Sequence, residues 1–292
     1  MPALTRELEF SVDLARQCGV IAVEIQRGGA STLDAREKSH NQGLVTRADM
    51  EINQRIVAAL SEVFPNDAII AEETAEEITS GNLHRQTRRC WYIDPVDGTR
   101  EFANGDDTWA IHIGLCIDGR PVLGVVHEPA QDRVNWGVLD PETGASLAAR
   151  YQIGDGPSRP LTPTSRGTHE LRLVSSKSHS SPRTLEIMRV LGIAPEDNLR
   201  VGSVGVKVSA IARGDAEAYV HPKTGTKLWD SCAPHAVLAA AGGTMTDVTG
   251  RPLDYLGSSL VNTRGLLATH GPHHDAILQR LKPLNDQWFP EP

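Results

Sequence analysis

The sequence predicts an α/β protein of the α+β kind, made of two unlike halves. Residues 109–129, WAIHIGLCIDGRPVLGVVHEP, hold two β-rich apolar runs joined by Asp118–Gly119, a hairpin signature. Residues 154–170, GDGPSRPLTPTSRGTHE, are dense in Pro, Gly, Ser and Thr and read as a linker. Beyond the linker, short strands alternate with helices, the grammar of an α/β unit. The expected division is residues 1–160, an α+β unit with an antiparallel sheet, and residues 161–292, a smaller α/β unit.

In order along the chain, residues 4–27 read as an amphipathic helix. Leu4, Leu8, Val12, Ala15, Ala22 and Val23 form its stripe and Gly28–Gly29 end it. Residues 49–64 read likewise, with Asp49 as the expected N-cap, Ile52, Ile56, Leu60 and Val63 at helical spacing, and Pro65 as the stop. DAIIAEET and RRCWYID are strands that end on carboxylates, and residues 131–152 extend the hairpin's sheet. In the second half, LRLVSSKSH, AEAYVH and GLLATH read as strands, and 182–192, 205–213 and 231–241 as helices.

Composition narrows the function classes. The net charge of −8 disfavours a broad surface for nucleic-acid polymers, so an anionic ligand would need local neutralisation. No apolar run approaches the ~20 residues of a membrane span, and the N-terminus lacks a secretory layout. Cys18, Cys90, Cys116 and Cys232 are widely spaced with no CxxC pair, which suits a reducing cytoplasm and argues against a zinc knuckle. There is no P-loop, no GxGxxG opening a βαβ unit and no GxSxG elbow. Cys232 lacks a basic partner and reads as a core residue.

Three apolar segments end on acids: Glu72–Glu73 after DAIIA, Asp94 and Asp97 after CWYI, and Asp230 in KLWDSCAPHAVL. Hard divalent cations take such oxygen ligands, together with water and substrate phosphate. The step Asp94–Pro95–Val96–Asp97 fits a bend that turns both carboxylates to one side and frees the Val96 carbonyl as a further ligand. Gly98 tolerates a close backbone approach, and its amide and that of Thr99 could meet a phosphate if a helix begins there. Singly, each piece has a bland reading: a Pro-x-Asp-Gly turn, a solvated strand end, and Asp230 as a helix N-cap with Pro234 in the first turn. Their conjunction points to a metal site.

VTRADMEIN (45–53), AEET (71–74), DPVDGTREF (94–102) and WDSCAPHAVLAAAGG (229–243) together resemble the magnesium-dependent, lithium-sensitive phosphatase superfamily. That superfamily includes inositol monophosphatase, fructose-1,6-bisphosphatase and the 3′(2′),5′-bisphosphate nucleotidases. The resemblance implies a layered αβαβα sandwich with the site between the halves and Mg²⁺ as cofactor. It also implies Glu72, Asp94, the Val96 carbonyl, Asp97 and Asp230 as metal ligands, with Glu73 near a further metal or its waters. Thr99 with Asp49 then activates the attacking water. Relatives are often dimers, so a homodimer through the N-terminal helix stands beside packing of that helix on its own sheet.

Within the superfamily, LVSSKSHSS, GSVGVKVSAIARGDAEAYV and TGTKLWDSCAPHAVL look most like the CysQ-type nucleotidases. The resemblance places Ser178, His179, Ser203 and Lys207 at substrate contacts. Inositol monophosphatases carry a glutamate near the end of the AYV strand. Here His221 stands there, followed by Lys223 and Lys227, which favours a second anionic group over a neutral polyol. Bacterial nucleotidases often have arginine at that place. Lys223 alone reads more as a solvated surface lysine than as a contact. The expected activity is hydrolysis of 3′-phosphoadenosine 5′-phosphate to AMP and phosphate. An inositol-1-phosphate or other sugar-phosphate phosphatase is the alternative, and a metal-binding pseudoenzyme or regulator the alternative outside enzymes.

Overall fold

A computed structural model describes residues 4–37, 44–74, 87–163, 167, 170–177 and 181–290. Helix α1 (Thr5–Arg27) buries Leu14, Ala15, Cys18, Ala22 and Ile25. Helix α2 (Arg47–Val63) buries Ala48, Ile52, Ile56 and Leu60, one residue per turn. Each large aliphatic side chain so buried contributes about 1.5–3 kcal/mol. Both stripes close on one face of a seven-stranded sheet, through a core that includes Trp91, Ile93, Ile111, Ile113 and Val125. The strands are β1 (Ala68–Ala71), β2 (Arg89–Asp97), β3 (Ala110–Ile117), β4 (Arg120–Glu128), β5 (Arg133–Leu139), β6 (Ser146–Ile153) and β7 (Arg159–Pro160), and they lie in sequence order. All pairs are antiparallel except β1 with β2. The short helix α3 (Thr99–Ala103) follows β2 directly. The hairpin turn has positive φ at both Asp118 (50°) and Gly119 (75°), as a tight Asp-Gly turn demands.

After residue 170 come β8 (Leu173–Ser176), α4 (Pro182–Leu191), β9 (Asn198–Val201), α5 (Val204–Arg213) and β10 (Ala218–His221). Then follow α6 (Leu228–Ala240), β11 (Thr244–Thr246), β12 (Leu266–Thr269) and α7 (His274–Trp288). The five strands form a second sheet of order β9-β8-β10-β12-β11. Helices α5 and α6 lie between the two sheets, where Val208, Ile211, Ala233 and Val237 meet Ala110 and Val126 below and Tyr219 and Ala268 above. Helices α4 and α7 cover the far face through Ile187, Leu191, Ile277 and Leu281. The layers run α, β, α, β, α, as the sequence led us to expect.

Helix α6 touches the first sheet along a row of glycines. Gly114, Gly124 and Gly137 are cross-strand partners on β3, β4 and β5. A Cβ on Gly124 would lie 2.1 Å from the Ala233 carbonyl oxygen, and one on Gly137 2.6 Å from that of Ala236. Backbone therefore rests on backbone. Helix α6 also begins three residues before the expected start, so Pro234 sits inside it rather than in its first turn. Its Leu228–Trp229 segment packs with Tyr92 and Tyr255 in a satellite core, which holds the extra turn in place.

Two outcomes follow from this packing. Gly124→Ala is expected to destabilise the protein by about 2 kcal/mol or more, because the contact is with backbone that cannot rotate away; the urea midpoint reads it. His127 is buried on β4, and burial lowers its pKa from 6.5 to about 4, opposed only in part by its Nδ1 bond to the Arg133 carbonyl (3.1 Å). The folded state thus holds a neutral ring, so this contribution is present above pH 6.5 and is lost as pH falls toward about 4. The unfolding free energy should drop by roughly 3 kcal/mol across that window. His127→Gln should have a flatter profile there.

Candidate metal and phosphate-ester site

Parallel pairing of β1 with β2, with Ala71 opposite Ile93, brings Glu72 beside the acidic end of β2. The β2–β3 ladder pairs Asp94 with His112 but Asp97 with Ala110, so one extra residue is inserted on β2. Asp94 and Asp97 are three apart and would face opposite sides of a regular strand. The bulge restores them to the same side, and Pro95, which has no N–H to lose, fits there. The expected bend is thus a bulge within a strand. From the second half, α6 delivers Asp230. Oxygen atoms of Asp94, Asp97 and Asp230 all lie within 4.8 Å of one another.

Protein donors occupy one oxygen of each carboxylate. The Val96 amide donates to Asp94 Oδ1 (3.0 Å) and the Lys227 amide to Asp230 Oδ2 (2.7 Å). Asp97 Oδ2 accepts from the Ser203 hydroxyl (2.5 Å) and the Gly205 amide (2.9 Å). Asp49 Oδ2 accepts from the Thr46 amide (2.7 Å) and hydroxyl. The bland reading of Asp49 and Asp230, beside their functional one, is a helix N-cap. Both instead stand at the third helical position and reach back to the amide of the N-cap residue, Thr46 or Lys227. This one-way reach satisfies a backbone donor at each helix start and still leaves one oxygen of each acid for other work.

The electrostatics match the crowding. Desolvation, then the charges of Glu72, Asp97 and Asp230, push Asp94 well above the carboxylate range. Desolvation, then Asp97 and Glu72, do the same to Asp230. Asp49 rises to about 7, through burial first, with Glu72 and Glu73 adding to it against the Thr46 bonds. For Asp97, burial is outweighed by His112, Lys207 and Ser203, and its pKa falls. Buried carboxylates this close ionise together only beside a cation. An all-oxygen donor set suits a hard divalent ion, so the residues fit Mg²⁺. The Val96 carbonyl lies 3.1 Å from the Thr99 hydroxyl and has lone pairs for a metal. The same hydroxyl lies 3.1 Å from Asp49 Oδ1.

A cavity of about 340 Å³ opens beside this cluster, lined by Asp97, Gly98, Ser203, Lys207, His221 and Asp230 among others. Gly98 has φ +92°, and a Cβ there would come within 3.2 Å of the Ser203 nitrogen, so the position requires glycine. Lys207 is 4% exposed, donates to the Ser203 carbonyl (2.7 Å) and lies over the Tyr219 ring. Burial brings it down to about 8. Lys223, which reads as a surface lysine in the sequence, lines the cavity, whereas Lys227 contributes its backbone amide to Asp230 and does not appear in the cavity wall. Ser178 and His179 lie outside the described residues. Sequence reasoning missed Glu101, a buried acid in the cavity wall, and His112, whose Nε2 is 3.2 Å from Asp97. The signal for His112 was its place as the one basic residue in an apolar strand; for Glu101 there was none beyond its nearness to Gly98.

Residues 4–284 match the model of the inositol monophosphatase family. The chain belongs to that family. Among curated proteins, this family member is 30% identical over 249 residues to the 3′(2′),5′-bisphosphate nucleotidase CysQ of Escherichia coli K12, covering 85% of this chain and 93% of that one. It is 29% identical to the rat 3′(2′),5′-bisphosphate nucleotidase 1 over 284 residues, 86% of each chain. Among solved structures, the Thermotoga maritima IMPase superposes with a TM-score of 0.75 at 21% identity, covering 97% of this chain and all of that one. The suhB protein of Bartonella henselae gives 0.75 at 20% identity, covering 95% and 99%. The structures share the fold. No helix among the described residues is long and apolar enough to cross a membrane.

If the acidic cluster holds Mg²⁺, metal and repulsion oppose each other measurably. In EDTA, Asp230→Asn is expected to unfold at or above the wild-type temperature, because it removes one of the crowded charges and keeps an oxygen for the Lys227 amide. In millimolar Mg²⁺ the order should reverse, as only the wild type gains binding free energy. Thermal unfolding in both buffers checks it.

Proposed function

We propose that this family member is a Mg²⁺-dependent phosphomonoesterase of the reducing cytoplasm that converts 3′-phosphoadenosine 5′-phosphate to AMP and phosphate. The observation that carries the reading is the pairing of the carboxylate cluster with cations in one cavity, the buried Lys207 and the rim Lys223. A substrate with a second anionic group uses both ends of such a cavity, whereas a neutral polyol monophosphate uses one. The likeness to two nucleotidases across most of the chain supports the same substrate class.

Mg²⁺ held by Glu72, Asp94, the Val96 carbonyl, Asp97 and Asp230 would neutralise phosphate charge and lower the pKa of a bound water. The chain's own residues do the rest. The Thr99 hydroxyl donates to Asp49, which leaves its lone pairs to accept a proton-bearing group and orient an attacking water. Gly98 lets the start of α3 approach the phosphate, with its amide and that of Thr99 free of the bulk of a side chain. Ser203 and Lys207 line the cavity wall beside Asp97, where Lys207 brings a desolvated ammonium to an anionic group of the substrate. His221, half-buried at the cavity, stands 3.4 Å from the Tyr219 hydroxyl and completes that wall. Glu101, buried in the same wall, suits a sugar hydroxyl, and this keeps a sugar-phosphate substrate as the second reading.

Phosphate release in Mg²⁺ from 3′-phosphoadenosine 5′-phosphate, inositol 1-phosphate and fructose 1,6-bisphosphate, side by side, tests the assignment. The nucleotide should be preferred, and Lys207→Met should weaken its kcat/KM by about 10- to 100-fold, the worth of one charge-assisted hydrogen bond. Asp97→Asn should abolish turnover of every substrate. Preference for inositol 1-phosphate would transfer the assignment to the second reading, and near-normal turnover by Asp97→Asn would remove both.

A further inference from the structure

His112 sits on β3, directly opposite Asp94 in the ladder, and its side chain is wholly buried. One ring nitrogen, Nε2, lies 3.2 Å from Asp97 Oδ2, approaching it obliquely. The other, Nδ1, lies 3.4 Å from the backbone carbonyl of Trp229, the residue before Asp230. The imidazole therefore bridges the two elements that deliver carboxylates from different halves of the chain. On its open side the ring is met by α5: a Cβ on Gly205 would fall 2.0 Å from Nε2. Gly205 also donates its amide to the same Asp97 oxygen. Three groups thus converge on Asp97 Oδ2: the Ser203 hydroxyl, the Gly205 amide and His112.

We propose that His112 is a positioning residue for the metal site, fixing the orientation of Asp97 and its distance from Asp230. The inference rests on the reading that these two carboxylates bind Mg²⁺. With Oδ2 committed to protein groups, Asp97 offers its other oxygen to a metal as a single, oriented donor. Without His112, one of the three holds on Oδ2 is gone, and the β3 tie to the start of α6 goes with it. Groups that orient metal ligands from behind typically contribute 10- to 100-fold in metal affinity. Lys207 and Ser203 serve the cavity side of Asp97; among the described residues His112 reaches it from the neighbouring strand.

The test compares His112→Gln with His112→Met, side chains of equal length that differ in the donor group. Calorimetric titration of the metal-stripped protein with Mg²⁺ gives the affinity, and thermal unfolding in EDTA reports packing alone. His112→Met should bind Mg²⁺ about 10- to 100-fold more weakly, and His112→Gln should recover most of that, while the two unfold at similar temperatures in EDTA. Equal Mg²⁺ affinities for Met and Gln, or a wild-type affinity for Met, would overturn the proposal and leave the metal site standing. A wild-type protein that binds no Mg²⁺ would remove the metal reading and this one together. Should neither variant fold, Gly205→Ala displaces the ring from the other side. It should weaken Mg²⁺ binding by a similar factor, and unchanged affinity there counts equally against the proposal.

Discussion

The structure depends on how closely one helix can lie on one sheet. Side chains normally stand between packed layers and hold their backbones apart, as in stacked sheets at about 10 Å. The cross-strand row Gly114–Gly124–Gly137 removes them on three adjacent strands, and the alanine-rich α6 settles onto bare backbone. Its first turn then reaches the end of β2, and Asp230 enters the group already formed by Asp94 and Asp97. The second sheet, carried on the other side of α5 and α6, supplies the opposite wall of the cavity. Layering, cavity and acidic cluster are consequences of that one approach.

The approach concentrates like charge. Desolvation and mutual repulsion raise Asp94 and Asp230, while Asp97 alone is drawn the other way by the groups behind it. The fold keeps the acids in place by local means: amide donors at Val96, Lys227 and Thr46, and a serine clamp at Ser203. Ser203 itself has φ +53°, a conformation that costs a non-glycine residue about 1–3 kcal/mol. Its hydroxyl donates to Asp97 and accepts from the Val206 amide, and these two bonds hold it there. Stability is thus spent locally to hold a geometry that suits a cation.

Many of the elements were legible in the sequence because they follow from periodicity, while the layering was implied by the family resemblance. The stripes of α1 and α2 and the Asp118–Gly119 hairpin are local signals, and each formed where expected. The acids were legible by type and by their place at the ends of apolar runs. Their roles at the helix starts were misjudged, because an acid at the third helical position and one at the N-cap look alike in sequence. The α6 start was misplaced because tertiary packing of Leu228 and Trp229, not local propensity, sets it. The glycine row and the role of His112 could not be read for another reason: both are defined by partners on other strands and helices, which sequence order does not show. The cavity lining is the part least readable: Lys223 is in it, whereas Lys227 is the N-cap of α6 and gives its backbone amide to Asp230.

Asp97 belongs to the first sheet, yet two of the groups that grip its Oδ2, Ser203 and Gly205, lie more than a hundred residues later. This split grip bears on how such a chain can be inherited. A crossover between two family members anywhere in residues 129–202 would give a protein with the aspartate of one parent and the clasp of the other. A Cβ at position 205 would fall 2.0 Å from the imidazole behind Asp97, so His112 and Gly205 would have to travel as a matched set across that junction.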